Sequence, residues 1–151
     1  MPLNIVLVCP EIPNNTGNIG RLSLATGAHL HLIKPFGFEI SDSRLKRAGL
    51  DYWKHIELTI YESIEEFYKI NKDKNIVLLS SHGDKSVWDI PFEDDIMLLF
   101  GKESSGLPAE ILKKHPDNLY KIPLHSDHIR SINIANAVSV TVYEGLRQLS
   151  L

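Results

Sequence analysis

Six short runs rich in Ile, Val and Leu punctuate the chain: Asn4–Val8, His29–Ile33, Ile56–Ile60, Ile76–Leu79, Ile96–Phe100 and Tyr120–Ile122. Several are continuous rather than alternating, the pattern of strands covered on both faces in a parallel sheet. Between them lie helical spacings over Gly17–Thr26, Ser43–Gly49, Ser63–Asn71 and Pro108–Lys114. Strands alternating with helices predict an α/β fold on a mainly parallel sheet. The longest helical pattern is Asn133–Leu149, where Ile134, Val138, Val142, Leu146 and Leu149 form one apolar stripe. Val140 and Tyr143 fall off that stripe, so the helix carries apolar groups on two sides. A subunit interface or deep burial within a monomer would each account for that.

The 151 residues show no repeat, low-complexity tract or linker, so one domain spanning 1–151 is expected. No apolar run approaches the ~20 residues of a membrane helix. The opening residues lack a basic region and a small-residue cleavage site, so no signal peptide is expected. A single cysteine, Cys9, leaves no disulfide framework and no Cys-rich metal site. A cytoplasmic protein is the expectation. The formal net charge of −3 and pI near 6.1 give no bulk basic field for nucleic acid. One stretch runs against that balance: Arg44, Lys46, Arg47 and Lys54 face a single acid, Asp51. It reads either as a solvated helix face or as a local basic patch.

Three segments look like chemistry. Pro10–Arg21 follows the first strand with two prolines, three asparagines and two glycines, a shaped loop that leads into a helix. In an open parallel sheet, ligands bind at the carboxyl ends of strands. Arg21 would then sit in the first helical turns, a cation beside free N–H groups that could hold a phosphate. An ordinary Asn-rich turn with a surface arginine is the other reading. Leu99–Pro108 lies at another strand end, and its Gly101-Lys102 pair invites a phosphate-loop reading. A Walker A loop needs a glycine where this chain has Ile96, and no GxGxxG follows the first strand. Ile122–Asn136 is a polar loop feeding the last helix, with Ser131 a reasonable N-cap. His125 and His128 have no completing ligand pair, so they read as loop histidines, as do His55 and His82. A hydrolase assembled from Ser131, His125 and Asp127 lacks a G-x-S-x-G elbow.

Taken in order, Glu11–Arg21, Gly101–Pro108, Ile122–Asn136 and Val138–Glu144 resemble the SPOUT class of RNA 2′-O-methyltransferases. The match is to the small TrmL type, the tRNA (cytidine/uridine-34)-2′-O-methyltransferases. His31–Phe38 and Arg44–Tyr52 also look like that type, so the resemblance spans nearly the whole chain.

The resemblance implies an α/β domain whose C-terminal part forms a trefoil knot, an exception to the rule against knots. It implies S-adenosylmethionine bound in the knot, no metal, and a homodimer formed through the C-terminal helix. The substrate would be the anticodon stem-loop of tRNA, methylated on the ribose of nucleotide 34, with leucine tRNAs expected. Another tRNA position, ribosomal RNA, or a non-catalytic RNA-binding relative are the alternatives. Carried onto this chain, cofactor contacts would fall on Leu79, Gly101, Ile122, Ser131 and Ile132. Arg21 would stand at the catalytic centre, with Asn133 and Tyr143 towards the substrate. The Arg44–Lys54 patch, doubled by symmetry, would form part of the grip on RNA. The chain departs from the family pattern at Lys102, where a proline is common, and at Ile132, where methionine is common. It also carries Gly20 where an aliphatic residue is frequent.

Overall fold

The computed structural model describes residues 3–40, 43, 47 and 50–150. A seven-stranded sheet runs through it, built from β1 (Asn4–Val8), β2 (His29–Ile33), β3 (Leu58–Tyr61), β4 (Ile76–Leu79), β5 (Lys85–Ser86), β6 (Met97–Phe100) and β7 (Leu119–Lys121). The order is β3-β2-β1-β6-β4-β7-β5, and every adjacent pair is parallel. All residues of β1, β4 and β6 are buried, which is why their sequences are continuous apolar runs rather than alternations. The two-residue β5 carries no apolar run, and no hydrophobic pattern announces it.

Helices cover both faces. On one side lie α1 (Pro13–Thr26) and α4 (Ile134–Leu149), packed against each other over Ile5, Leu7, Leu98 and Phe100. On the other, α2 (Ile64–Ile70) and α3 (Ala109–Lys114) cover Val6, Val8, Leu78 and Leu99. A 3₁₀ segment, Leu50–His55, packs on α1. Most of the expected helix Ser43–Gly49, and with it Arg44 and Lys46, lies outside the described residues. Arg47 and Lys54 are exposed.

α1 begins four residues earlier than its sequence pattern suggests, with Pro13 in its first turn. Proline suits that position because its missing N–H would be unpaired anyway. Arg21 is therefore in the third turn and not beside the free N–H groups of a helix start. On α4, the stripe residue Val138 is fully buried and Val142 likewise, while Tyr143 is 54% exposed on the outer side.

Strand β7 occupies a slot between β4 and β5, two strands that are consecutive in the chain. The connection leaving β4 is bonded across to it, Ser80 N–H donating to the Tyr120 carbonyl at 2.9 Å.

A buried polar chain crosses the face of the sheet opposite α1 and α4. Asn4 Nδ2 donates to Asp95 Oδ1 at 2.9 Å, which leaves Asn4 Oδ1 as an acceptor for His31 Nε2 at 2.8 Å. Nδ1 of His31 is then the bare nitrogen, and the Tyr61 hydroxyl donates to it at 2.8 Å. Asn71 Nδ2 completes the chain by donating to Tyr61 Oη at 3.1 Å. Every group is satisfied only with His31 neutral. Burial, reinforced by the neighbouring His29, pushes its pKa down to about 3.

Candidate active site

The carboxyl ends of β4, β6 and β7 open onto a cavity of about 820 Å³. Leu79, Gly101, Ile122, Ser131, Ile132 and Asn133 all line it, although the sequence scatters them over more than fifty residues. Phe100, Leu107 and Leu124 add an apolar wall. Lys102, Lys121 and Arg130 line it too, against one carboxylate, Glu103. The cavity is locally positive in a chain whose net charge is −3.

At Gly101 the loop folds back on itself, Gly106 N–H donating to the Lys102 carbonyl at 2.9 Å. A side-chain carbon at Gly101 would overlap the backbone of Gly106 and Leu107, so only glycine lets this hairpin close against the strand end.

One carboxylate ties the motif loops together. Glu103 Oε1 accepts from Glu11 N–H at 2.9 Å, and Oε2 accepts from Ile12 N–H at 3.0 Å and Asn15 Nδ2 at 3.1 Å. Ile12 caps α1 without a side-chain hydrogen bond of its own. Glu103 thus serves N–H groups at the helix entry, where negative charge also meets the positive end of the helix dipole. Ser104 N–H returns a bond to Glu11 Oε1 at 2.8 Å, and hydrogen bonding from Ser104 holds the Glu11 carboxyl below the usual range. The third loop joins through Asn133, whose Nδ2 donates to Asn15 Oδ1 at 3.1 Å.

Asn133, not Ser131, is the N-cap of α4: its Oδ1 accepts from Ala135 N–H at 2.8 Å and Asn136 N–H at 3.4 Å. Ser131 stays exposed and free to face the cavity. The roles of Glu103 and Asn15 escape sequence reasoning, because a cap supplied from some ninety residues away leaves no local signature.

Arg21 and Tyr143 do not line this cavity. Arg21 is exposed, six residues beyond Asn15 on α1, roughly 9 Å along its axis. Tyr143 lies ten residues beyond Asn133, about 15 Å down α4. The three residues expected at the catalytic centre are therefore not brought together within one chain.

His125 and His128 are exposed in the loop, and among the described residues no group of His, Cys, Asp and Glu could hold a metal. Burial pushes the Cys9 thiol up, and its sulfur faces the Lys34 carbonyl rather than the cavity. Among the described residues, no helix is long and apolar enough to cross a membrane.

Residues 2–143 match the model of the SpoU rRNA Methylase family. The chain is 45% identical over 148 residues to the tRNA (cytidine(34)-2′-O)-methyltransferase of Escherichia coli K12, covering 97% of this chain and 94% of that protein. A solved structure described as giving insights into 2-OH methylation of C/U34 on tRNA is 43% identical. It superposes with a TM-score of 0.93 over 98% of this chain and 96% of its own. The SpoU methyltransferase AviRb of Streptomyces viridochromogenes, solved with the cofactor AdoMet, is 27% identical with a TM-score of 0.84. It matches 99% of this chain and 58% of its own.

Proposed function

The chain belongs to the SpoU methylase family, and from that premise we propose that it methylates the ribose 2′-oxygen of nucleotide 34 in tRNA, leucine tRNAs among its substrates. S-adenosylmethionine is the methyl donor. The observation that carries this reading is the closure of three separate motif loops, through Glu103, Asn15 and Asn133, around one cavity at the strand ends.

The cavity suits the cofactor. Glycine-tight backbone at Gly101 and the apolar side chains of Leu79, Ile122 and Ile132 offer a slot for adenine, with main-chain groups in reach. Ser131 adds a hydroxyl, and Arg130, Lys102 and Lys121 suit a carboxylate. Bound there, S-adenosylmethionine supplies an electrophilic methyl group on a sulfonium. The residues around it supply alignment, which is worth roughly 7–11 kcal/mol of barrier when reacting atoms are held in line. Asn133 is a positioning residue, since its side chain is engaged with α4 and Asn15.

Arg21 does not serve as a base, because a guanidinium offers five N–H donors and no acceptor. It orients the phosphate beside the target ribose, and the 2′-oxygen's proton leaves to that phosphate or to water. Arg21 and Tyr143 lie on the outer side of the α1–α4 layer, away from their own cavity. They act in a homodimer, each reaching the partner's cavity across the layer. The exposure of Leu24 (38%) and Tyr143 (54%) supports that interface. The C-terminal knot belongs to the same reading, supported by β7 lodged between β4 and β5. The reaction runs in the cytoplasm.

The test is transfer of labelled methyl from S-adenosylmethionine to bulk tRNA from a strain lacking the gene, followed by digestion. Label on a 2′-O-methylated nucleotide 34 is expected. Label at another ribose would overturn the target, and neither label nor cofactor binding would overturn the chemistry. Mixing Arg21→Ala with a cavity-dead Gly101→Ala chain tests the dimer: restored activity is expected, and continued inactivity in a mixed dimer would refute action across it.

A further inference from the structure

The guanidinium carbon of Arg21 sits 4.7 Å from the centroid of the Tyr52 ring. Among the described residues, that cation–π contact is what holds it; no ion pair or hydrogen bond claims its N–H groups. With no ion pair or hydrogen bond on them, its N–H donors remain for a phosphate, which a guanidinium can bind through two at once.

Tyr52 is itself held in place. It belongs to the Leu50–His55 segment, and the next residue, Trp53, packs on α1 at Gly20, one position before Arg21. A side-chain carbon at Gly20 would come within 2.8 Å of both Trp53 Cζ3 and Ile56 Cδ1. Where the family often carries an aliphatic side chain, this chain therefore fills the space with Trp53 and Ile56. The 3₁₀ segment is drawn against α1, and Tyr52 comes to lie against Arg21.

We propose that Tyr52 is a positioning residue for methyl transfer, holding the Arg21 guanidinium over its ring so that the unclaimed N–H groups meet an RNA phosphate. This rests on the phosphate-orienting role of Arg21 given above. A long arginine side chain otherwise samples many rotamers, and the contact restricts them before RNA arrives. Trp53 and Gly20 act only through Tyr52, as the packing that fixes its segment.

The experiment is steady-state kinetics of the full-length protein with tRNA and S-adenosylmethionine. Tyr52→Phe keeps the ring and should stay within about twofold of the parent. Tyr52→Leu should lower kcat roughly 3- to 30-fold, the range a cation–π contact spans from exposed to desolvated, with KM for S-adenosylmethionine unchanged. Ring-fluorinated phenylalanine at position 52 keeps the shape but weakens the ring's quadrupole, so kcat should fall as fluorines are added. A fold-only role would not respond to fluorination. In the Arg21→Ala background, Tyr52→Leu should cost nothing further. A fluorinated series flat in kcat, or full additivity of the two substitutions, overturns the role of Tyr52 while leaving Arg21 in place. Full activity of Arg21→Ala alone overturns the reading of Arg21 on which it depends.

Discussion

Glu103 is one side chain whose removal loosens two of the three motif loops and, through Asn15, the third. Glu103→Ala strips acceptors from the Glu11 and Ile12 N–H groups and from Asn15 Nδ2. Hydrogen bonds to a charged partner are each worth about 1.5–3 kcal/mol net, and loss of a helix cap typically costs about 1. Glu103 is only half-buried, so water recovers part of this. The net cost is about 2–3 kcal/mol, below the sum of the separate bonds. For a chain of this size that lowers Tm by about 5–10 °C. Glu103→Gln keeps one acceptor oxygen but turns a donor towards the helix entry, so its loss should fall between parent and alanine. The checks are thermal and urea unfolding together with calorimetric titration of S-adenosylmethionine. Affinity should weaken about tenfold or more in Glu103→Ala, since the cavity walls are the loops it ties. A Tm within about 1 °C of the parent together with unchanged cofactor affinity would refute the argument, because water would then replace the carboxylate at no cost.

Other residues carry predictions of their own. The pKa of His31 is pushed down to about 3 in the folded chain from its ordinary 6.5, so the unfolded chain binds the extra proton. The stability that neutral His31 contributes is whole above pH ~6.5 and is lost as pH falls towards 3, about 2 kcal/mol of it by pH 5. Urea unfolding at pH 7 and pH 5 should show that slope in the parent and a shallower one in His31→Gln; equal slopes would refute it. Gly101→Ala drives a side chain into the Gly106–Leu107 backbone. It should cost about 1–3 kcal/mol and abolish measurable cofactor binding, checked by thermal unfolding and calorimetry.

β1, β4 and β6 were legible because burial on both faces writes itself as unbroken apolar runs, whereas β3, only partly buried, begins two residues later than the run Ile56–Ile60. β5 was not legible, since Lys85 and Ser86 pair by backbone alone. The first helix starts at Pro13, four residues before its spacing shows it. Asparagine and glycine signal a loop locally, and the carboxylate that stabilises a helical entry there comes from Glu103. Ser131 and Asn133 are both good caps by residue type, and it is Asn133 whose Oδ1 accepts from Ala135 and Asn136 N–H at the start of α4. Leu79, Gly101 and Ile122 were legible as cofactor positions only through the family resemblance, and the fold sets them around one cavity. Arg21 and Tyr143 came from the family resemblance alone, and within one chain neither lines the cavity, because helical spacing along α1 and α4 carries both past its rim.

The position of β7 has a consequence for how the protein is made. Its slot lies between two strands synthesised long before it, so the sheet stays gapped at β4 until residues 119–121 have left the ribosome. Until then the nascent chain shows an open parallel edge of buried-type residues, the kind of surface that invites chaperones or mispairing. The cavity wall formed by residues 121–134 arrives later still. A prematurely terminated chain would therefore carry most of the mass without that cavity, which closes only with the last thirty or so residues.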